Sequence, residues 1–77
     1  LTRANLRNAD LTRADLKGAK LKDADLRQAR LFRADLRNAD LTGAELTGAD
    51  LSGTELAGAT WTDGTRICGP RSVGLCQ

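Results

Sequence analysis

Leucine stands at positions 1, 6, 11, 16, 21, 26, 31, 36, 41, 46, 51 and 56, and Trp61 takes the next place in the series. From Leu6 onward Ala lies two residues before each of them, except that Thr54 precedes Leu56. On an α-helix five residues turn through about 500°, so successive leucines stand about 140° apart and no buried stripe forms. On a long strand an odd period sends successive leucines to opposite faces, and neither face becomes apolar. What fits is a coil built from pentapeptide sides. Ala and Leu, two apart in extended chain, point inward, and the next two residues turn a corner. Stacked coils pair their backbones along the axis at about 4.8 Å spacing and enclose a dry lumen. The period alone leaves the number of sides and the hand open.

The units Ala9-Asp10-Leu11-Thr12-Arg13, Ala14-Asp15-Leu16-Lys17-Gly18 and Ala34-Asp35-Leu36-Arg37-Asn38 show the motif, and twelve of its kind run in phase through residues 1–60. This stretch resembles the pentapeptide repeat family. The resemblance implies an all-β, right-handed quadrilateral β-helix with four repeats per coil, hence about three coils. A type II turn wants φ > 0 at its third residue, a slot filled here by Gly18, Gly43, Gly48, Gly53, Gly58, Asn8 and Asn38. Arg3, Arg13, Gln28 and Arg33 occupy the same slot and are expected to sit in corners of another type, leaving the last coil the most regular.

The repeat stops after Ala59, which divides the chain into a β-helix over 1–60 and a carboxy-terminal cap over 61–77. A cap is needed because an open solenoid end exposes both core and strand edge. Trp61 is expected to lie over the last coil, with Ile67, Val73 and Leu75 covering the rest. Asp63-Gly64 and Gly69-Pro70 mark turns. Cys68 and Cys76 are the only cysteines, and their separation suits a small loop closed by a disulfide. In the chain-entropy model that closure contributes about 2.5 kcal/mol, useful to a core of this size. Zinc would lack two ligands, since the chain has no His, and a redox pair would lack the close C-x-x-C spacing. A disulfide points to periplasm, thylakoid lumen or the cell exterior, whereas two reduced thiols would suit the cytoplasm. The Trp-x-Asp-Gly…Cys…Ser-x-Gly-x-Cys ending also resembles exported pentapeptide repeat proteins of cyanobacteria and the chloroplast lumen. The amino end begins inside a repeat and is expected to belong to a longer protein that has lost a leader or membrane segment. Its uncapped edge is a candidate for end-to-end or homodimer contact.

With the lumen filled by Ala and Leu, chemistry must lie on the walls. At twenty residues per coil, Asp15, Asp35 and Glu55 form one outward column, Asn5, Asp25 and Glu45 a second, and Asp10, Arg30 and Asp50 a third. Three carboxylates about 4.8 Å apart could recruit Ca²⁺. Lys17, Arg37, Arg7 and Arg27 stand beside the first two columns, and the third alternates in sign, so ion pairing is the expected state and no metal site is assigned. Residues 1–40 carry ten basic against six acidic side chains, while 41–60 carry only acids. A nucleic-acid surface would need a denser basic stripe with stacking aromatics, and Phe32 and Trp61 are the only aromatics. Phe32, with Arg13 and Arg33 nearby at one corner, is the candidate partner surface.

The chain has no His, no nucleophile elbow and no phosphate loop, so no catalytic residue, cofactor or small-molecule substrate is assigned. The sequence reads as a non-enzymatic structural or protein-interaction module of unidentified protein partner. Membrane attachment would come only through a segment outside this sequence. The family resemblance also implies an alternative, imitation of DNA to bind DNA gyrase, which calls for a long acidic surface. This short chain with net charge +2 does not provide one. A weaker alternative is binding of nucleic acid or anionic membrane by the basic early coils.

Overall fold

The computed structural model describes residues 1–77. It contains no helix, and so none long and apolar enough to cross a membrane. Eight parallel β-bridges join outward positions twenty residues apart, from Asn5–Asp25 through Asp40–Thr60, so each coil has four five-residue sides. Two amides per repeat tie each coil to the next: Leu6 donates to the Asp25 carbonyl at 2.8 Å and Asn8 to that of Arg27 at 3.0 Å. A third returns the bond, Asp25 donating to the Ala4 carbonyl at 2.9 Å. Backbone groups that no single coil could satisfy are thereby paired along the axis.

Every corner of the three coils is built alike. The N–H of Ala, or of Thr54 in its place, donates to the carbonyl of the Leu three residues earlier, as from Ala4 to Leu1 at 3.0 Å. The residue before that Ala always has positive φ, from 56° at Arg33 to 74° at Gly58. This is the type II pattern. The expected second kind of corner is therefore wrong: Arg3, Arg13, Gln28 and Arg33 have φ of 62°, 59°, 60° and 56°, and Asp23 joins them at 60°. The cause is the axial ladder. The N–H of the positive-φ residue must point along the axis, as Arg33 does in donating to the Ser52 carbonyl at 2.8 Å. A different turn would misdirect it, and a lost buried bond costs about as much as the roughly 1–2 kcal/mol of left-handed backbone strain. Gly58 has a further reason to be Gly, because a Cβ there would strike the side-chain oxygen of Asn38 one coil below.

The lumen is driest in the middle coil. Leu21, Leu26, Leu31, Leu36 and Leu41 are fully buried, with Ala24, Ala29, Ala34 and Ala39 between them. In the first coil Leu6, Leu11 and Leu16 are only partly buried, and Leu1 is 60% exposed. Thr54 interrupts the alanines without an orphaned hydroxyl: it donates to the Leu31 carbonyl at 2.6 Å. Thr54 is itself fully buried, so this bond is required.

The twenty-residue bridges end at Thr60 and the in-register axial bonds at Thr62, after which the chain reverses and runs antiparallel over 55–60. Trp61 packs partly buried against the core. Gly64 donates to the Trp61 carbonyl at 2.9 Å, and Asp63 accepts from the amides of Thr65 and Arg66, both at 3.0 Å. Ile67 bridges Thr60 and Val73 bridges Glu55. Directly opposed residues share a face, so Ile67 and Val73 point outward with their polar partners. The expectation that Ile67, Val73 and Leu75 cover the last coil is thus overturned: they are 59%, 56% and 61% exposed. The inward positions next to them belong to Cys68, Ser72 and Cys76, all buried.

Leu31→Ala should cost about 2–5 kcal/mol, because neighbours above and below hold the cavity open. Leu6→Ala, at a partly buried edge, should cost less than half as much. Chemical denaturation of both variants checks this, and equal shifts in midpoint would contradict a stacked core.

Candidate functional site: the outer walls and the cap

Each wall is organised by the residue before Leu. The N–H of the residue after Leu has no backbone acceptor in any repeat. Where Asn or Asp precedes Leu, its Oδ1 accepts that bond across the corner. Arg7, Thr12, Lys17, Arg27, Arg37, Thr42 and Ser52 donate in this way to Asn5, Asp10, Asp15, Asp25, Asp35, Asp40 and Asp50 at 3.0–3.2 Å. These are Asx turns, which use a short side chain to satisfy the backbone two residues on. Glu45 and Glu55, one methylene longer, make no such bond, nor do Lys20 and Arg30. Thr12 and Thr42 add a hydroxyl bond to the same oxygen, each at 2.6 Å.

Two columns carry charge ladders, as the spacing predicted. Asp25 lies between Arg7 at 3.2 Å and Arg27 at 2.9 Å, and Arg27 reaches on to Glu45 at 3.4 Å. Arg37 takes Asp35 with both Nε and Nη2, at 2.9 and 2.7 Å, and stands 3.8 Å from Glu55. The third column behaves differently from expectation, for Arg30 makes no ion pair with Asp10 or Asp50. Their Oδ1 atoms are instead turned along the chain toward Thr12 and Ser52. Lys17 likewise gives Asp15 its backbone N–H rather than its ammonium. No group of three or more metal-ligating side chains converges anywhere on the surface.

The side-chain hydrogen bonds from Arg27 hold the Asp25 carboxyl far below the usual carboxylate range, and those from Arg37 lower Asp35 to about 2. Thr12, Thr42 and Ser52 lower Asp10, Asp40 and Asp50 in the same direction. The candidate partner corner is also formed. The Arg33 guanidinium carbon lies 5.3 Å from the centroid of the Phe32 ring, which is 37% exposed. A cation over a ring face is attracted by its quadrupole. Arg13 occupies the equivalent corner one coil below, with φ 59°.

In the cap, Cys68 and Cys76 form a disulfide across a Cα–Cα distance of 4.9 Å. Cys68 is also held to the last coil, donating to the Ala59 carbonyl and accepting from Gly58, both at 2.8 Å. Gly69 donates to the Gln77 carbonyl at 2.7 Å, and Gln77 donates to Ser72 Oγ at 2.9 Å, so the loop closes on itself.

Fold and walls together define a four-sided β-helical solenoid whose corners repeat every five residues and whose outward columns stack every twenty. The family model for pentapeptide repeats matches residues 1–28 and 29–60. The chain belongs to the pentapeptide repeat family, and its β-helix is right-handed and quadrilateral like those of its structural neighbours. It is similar to HetL, a pentapeptide repeat protein involved in heterocyst differentiation regulation in the cyanobacterium Nostoc sp. strain PCC 7120. Identity there is 45% and the TM-score 0.81, over 84% of this chain and 31% of HetL. It also resembles AT2G44920, a pentapeptide repeat protein of the Arabidopsis thaliana thylakoid lumen, at 37% identity and TM-score 0.76 over 78% of this chain and 41% of that one. Rfr23 from the cyanobacterium Cyanothece 51142 matches at 47% identity and TM-score 0.76, over 77% of this chain and 40% of its own. The chain thus spans well under half the length of these solved structures. No curated protein matches the sequence.

The wall geometry gives two expectations. Asp40→Ala should lower the unfolding midpoint and Asp40→Asn much less, whereas Glu45→Asp should raise it by supplying the acceptor that Thr47 lacks. Urea unfolding of the three variants decides it, and a loss of stability in Glu45→Asp would count against the Asx account. Second, each lowered carboxyl stabilises the fold fully above the unfolded Asp value of about 4 and progressively less as pH falls toward its folded value. Melting temperature should therefore be flat from neutral pH to about 5, then fall toward pH 2. A flat profile down to pH 2 would show that these bonds do not differ between folded and unfolded chains.

Proposed function

We propose that the chain is a non-enzymatic structural and protein-interaction module within a longer exported or membrane-attached protein. One observation carries the reading: the inward side chains fill the lumen, which leaves the walls and ends to meet a partner. The walls carry charges of both signs in ladders and present no continuous acidic face. That weighs against DNA imitation and against a basic track for nucleic acid. Phe32 with Arg33 across its ring, and Arg13 below, is the wall corner with both an apolar and a cationic component. The oxidised cysteine pair favours an oxidising compartment. Similarity to a thylakoid-lumen protein is compatible with that placement, and HetL's involvement in regulation is in keeping with action by contact.

Photo-crosslinking residues placed singly at Phe32, Lys20 and Ser52 of the full-length protein, in its own host, test the reading. The expected result is an adduct with one defined protein from the Phe32 position, and no inhibition of DNA gyrase by the purified chain at micromolar concentration. Adducts to nucleic acid that survive physiological salt, or gyrase inhibition, would replace it.

A further inference from the structure

The cap covers only part of the last coil. In the lower coils Leu6 and Leu26 donate upward at 2.8 and 2.9 Å, Asn8 and Gln28 at 3.0 and 2.9 Å, and Leu11 and Leu31 at 2.7 and 2.8 Å. Their third-coil counterparts Leu46, Gly48 and Leu51 have no axial acceptor, and neither has Gly53, although Arg13 and Arg33 below it donate upward at 2.8 Å. Ala4, Ala24, Ala9 and Ala29 each accept an axial bond, yet the carbonyls of Ala44 and Ala49 accept none. Immediately beyond, the cap takes over: Leu56 donates to Ser72 at 2.9 Å, Gly58 to Cys68 at 2.8 Å, and Gly74 donates to the Thr54 carbonyl at 2.7 Å. The result is a step of six unpaired backbone groups across 44–53, above the half-buried Leu46 and Leu51.

Groups spaced this way accept an extended backbone by strand addition. A second copy of the chain cannot supply it in register, because its first coil would need the whole end, and residues 67–73 already occupy that level over 55–60. The occupant is a single segment lying beside the cap. Its charge is set by the third coil, where 41–60 hold Glu45, Asp50 and Glu55 and no Lys or Arg. The Glu45 and Glu55 side chains are 61% and 54% exposed, and their arginine contacts from the coil below are long, at 3.4 and 3.8 Å. We propose that the edge formed by Ala44–Leu51 binds an extended, basic peptide segment of a partner protein through parallel β-bridging. Small apolar residues of that segment lie over Leu46 and Leu51, and its lysines or arginines face Glu45 and Asp50. This rests on the reading of the chain as an interaction module and names one site and partner chemistry for it.

Hydrogen exchange of the full-length chain, followed by NMR, tests the site. The probe is the peptide Ala-Lys-Leu-Lys-Gly-Ala-Lys-Leu-Lys-Gly, and its control carries Glu for every Lys. The basic peptide should slow exchange at Leu46, Gly48 and Leu51 by about tenfold or more, and the acidic one should leave it unchanged. The double variant Glu45→Gln, Asp50→Asn keeps an acceptor for Ser52 and should weaken binding of the basic peptide by at least about threefold. Equal protection by both peptides, or none at millimolar peptide, would overturn the proposal. So would protection already present without peptide, whether from the longer chain itself or growing with protein concentration as for a second copy. If the site fails while the wall crosslinks persist, the module reading stands and only this edge is lost from it.

Discussion

The axial hydrogen bond between coils is the interaction on which the rest of the structure depends. Five residues close one side and one corner, but a single coil leaves three N–H and three C=O groups per side that only neighbouring coils can pair, and its leucines without a floor. Stacking at a twenty-residue interval solves both at once. It also explains why burial grades along the axis, complete in the middle coil and partial in the first, as nearest-neighbour stability in a solenoid requires.

The same bond overrides local preference. Left-handed backbone at Arg3, Arg13, Gln28 and Arg33 is costly for residues with a Cβ, and the sequence alone argues for a change of turn there. The ladder does not permit one, because each of these residues donates its N–H along the axis. Leucine and alanine spacing was therefore legible as a coil, and the coil as four-sided through the family likeness. Corner uniformity was not, since it comes from the neighbouring coil and not from the corner's own residues.

The walls were legible as columns but not as bonds. Outward stacking of Asp25 under Glu45 and Asp35 under Glu55 followed from the period, and so did their arginines. What a count of charges could not show is that Asp and Asn serve the backbone first. The orphan N–H after each Leu becomes apparent only when the ladder is drawn, and it then accounts for the short side chain before Leu. In the cap, hydrophobicity pointed to Ile67, Val73 and Leu75, whereas antiparallel pairing with outward Thr60 and Glu55 turned the first two away and gave the interior to Cys68, Ser72 and Cys76. Position on the pleat, not side-chain type, decides that face.

The twenty-residue register is tested most directly by paired cysteine substitutions on one wall. Thr12→Cys with Phe32→Cys places two thiols on adjacent coils, in the same column and about 5 Å apart at their Cα atoms, within disulfide reach. Lys17→Cys with Phe32→Cys, fifteen residues apart, places them on different sides of the square. The structure predicts rapid oxidation of the first pair to an intramolecular disulfide, seen by mass spectrometry under native conditions, and none for the second. Crosslinking of the second pair but not the first would mean a coil of three sides and would contradict the account.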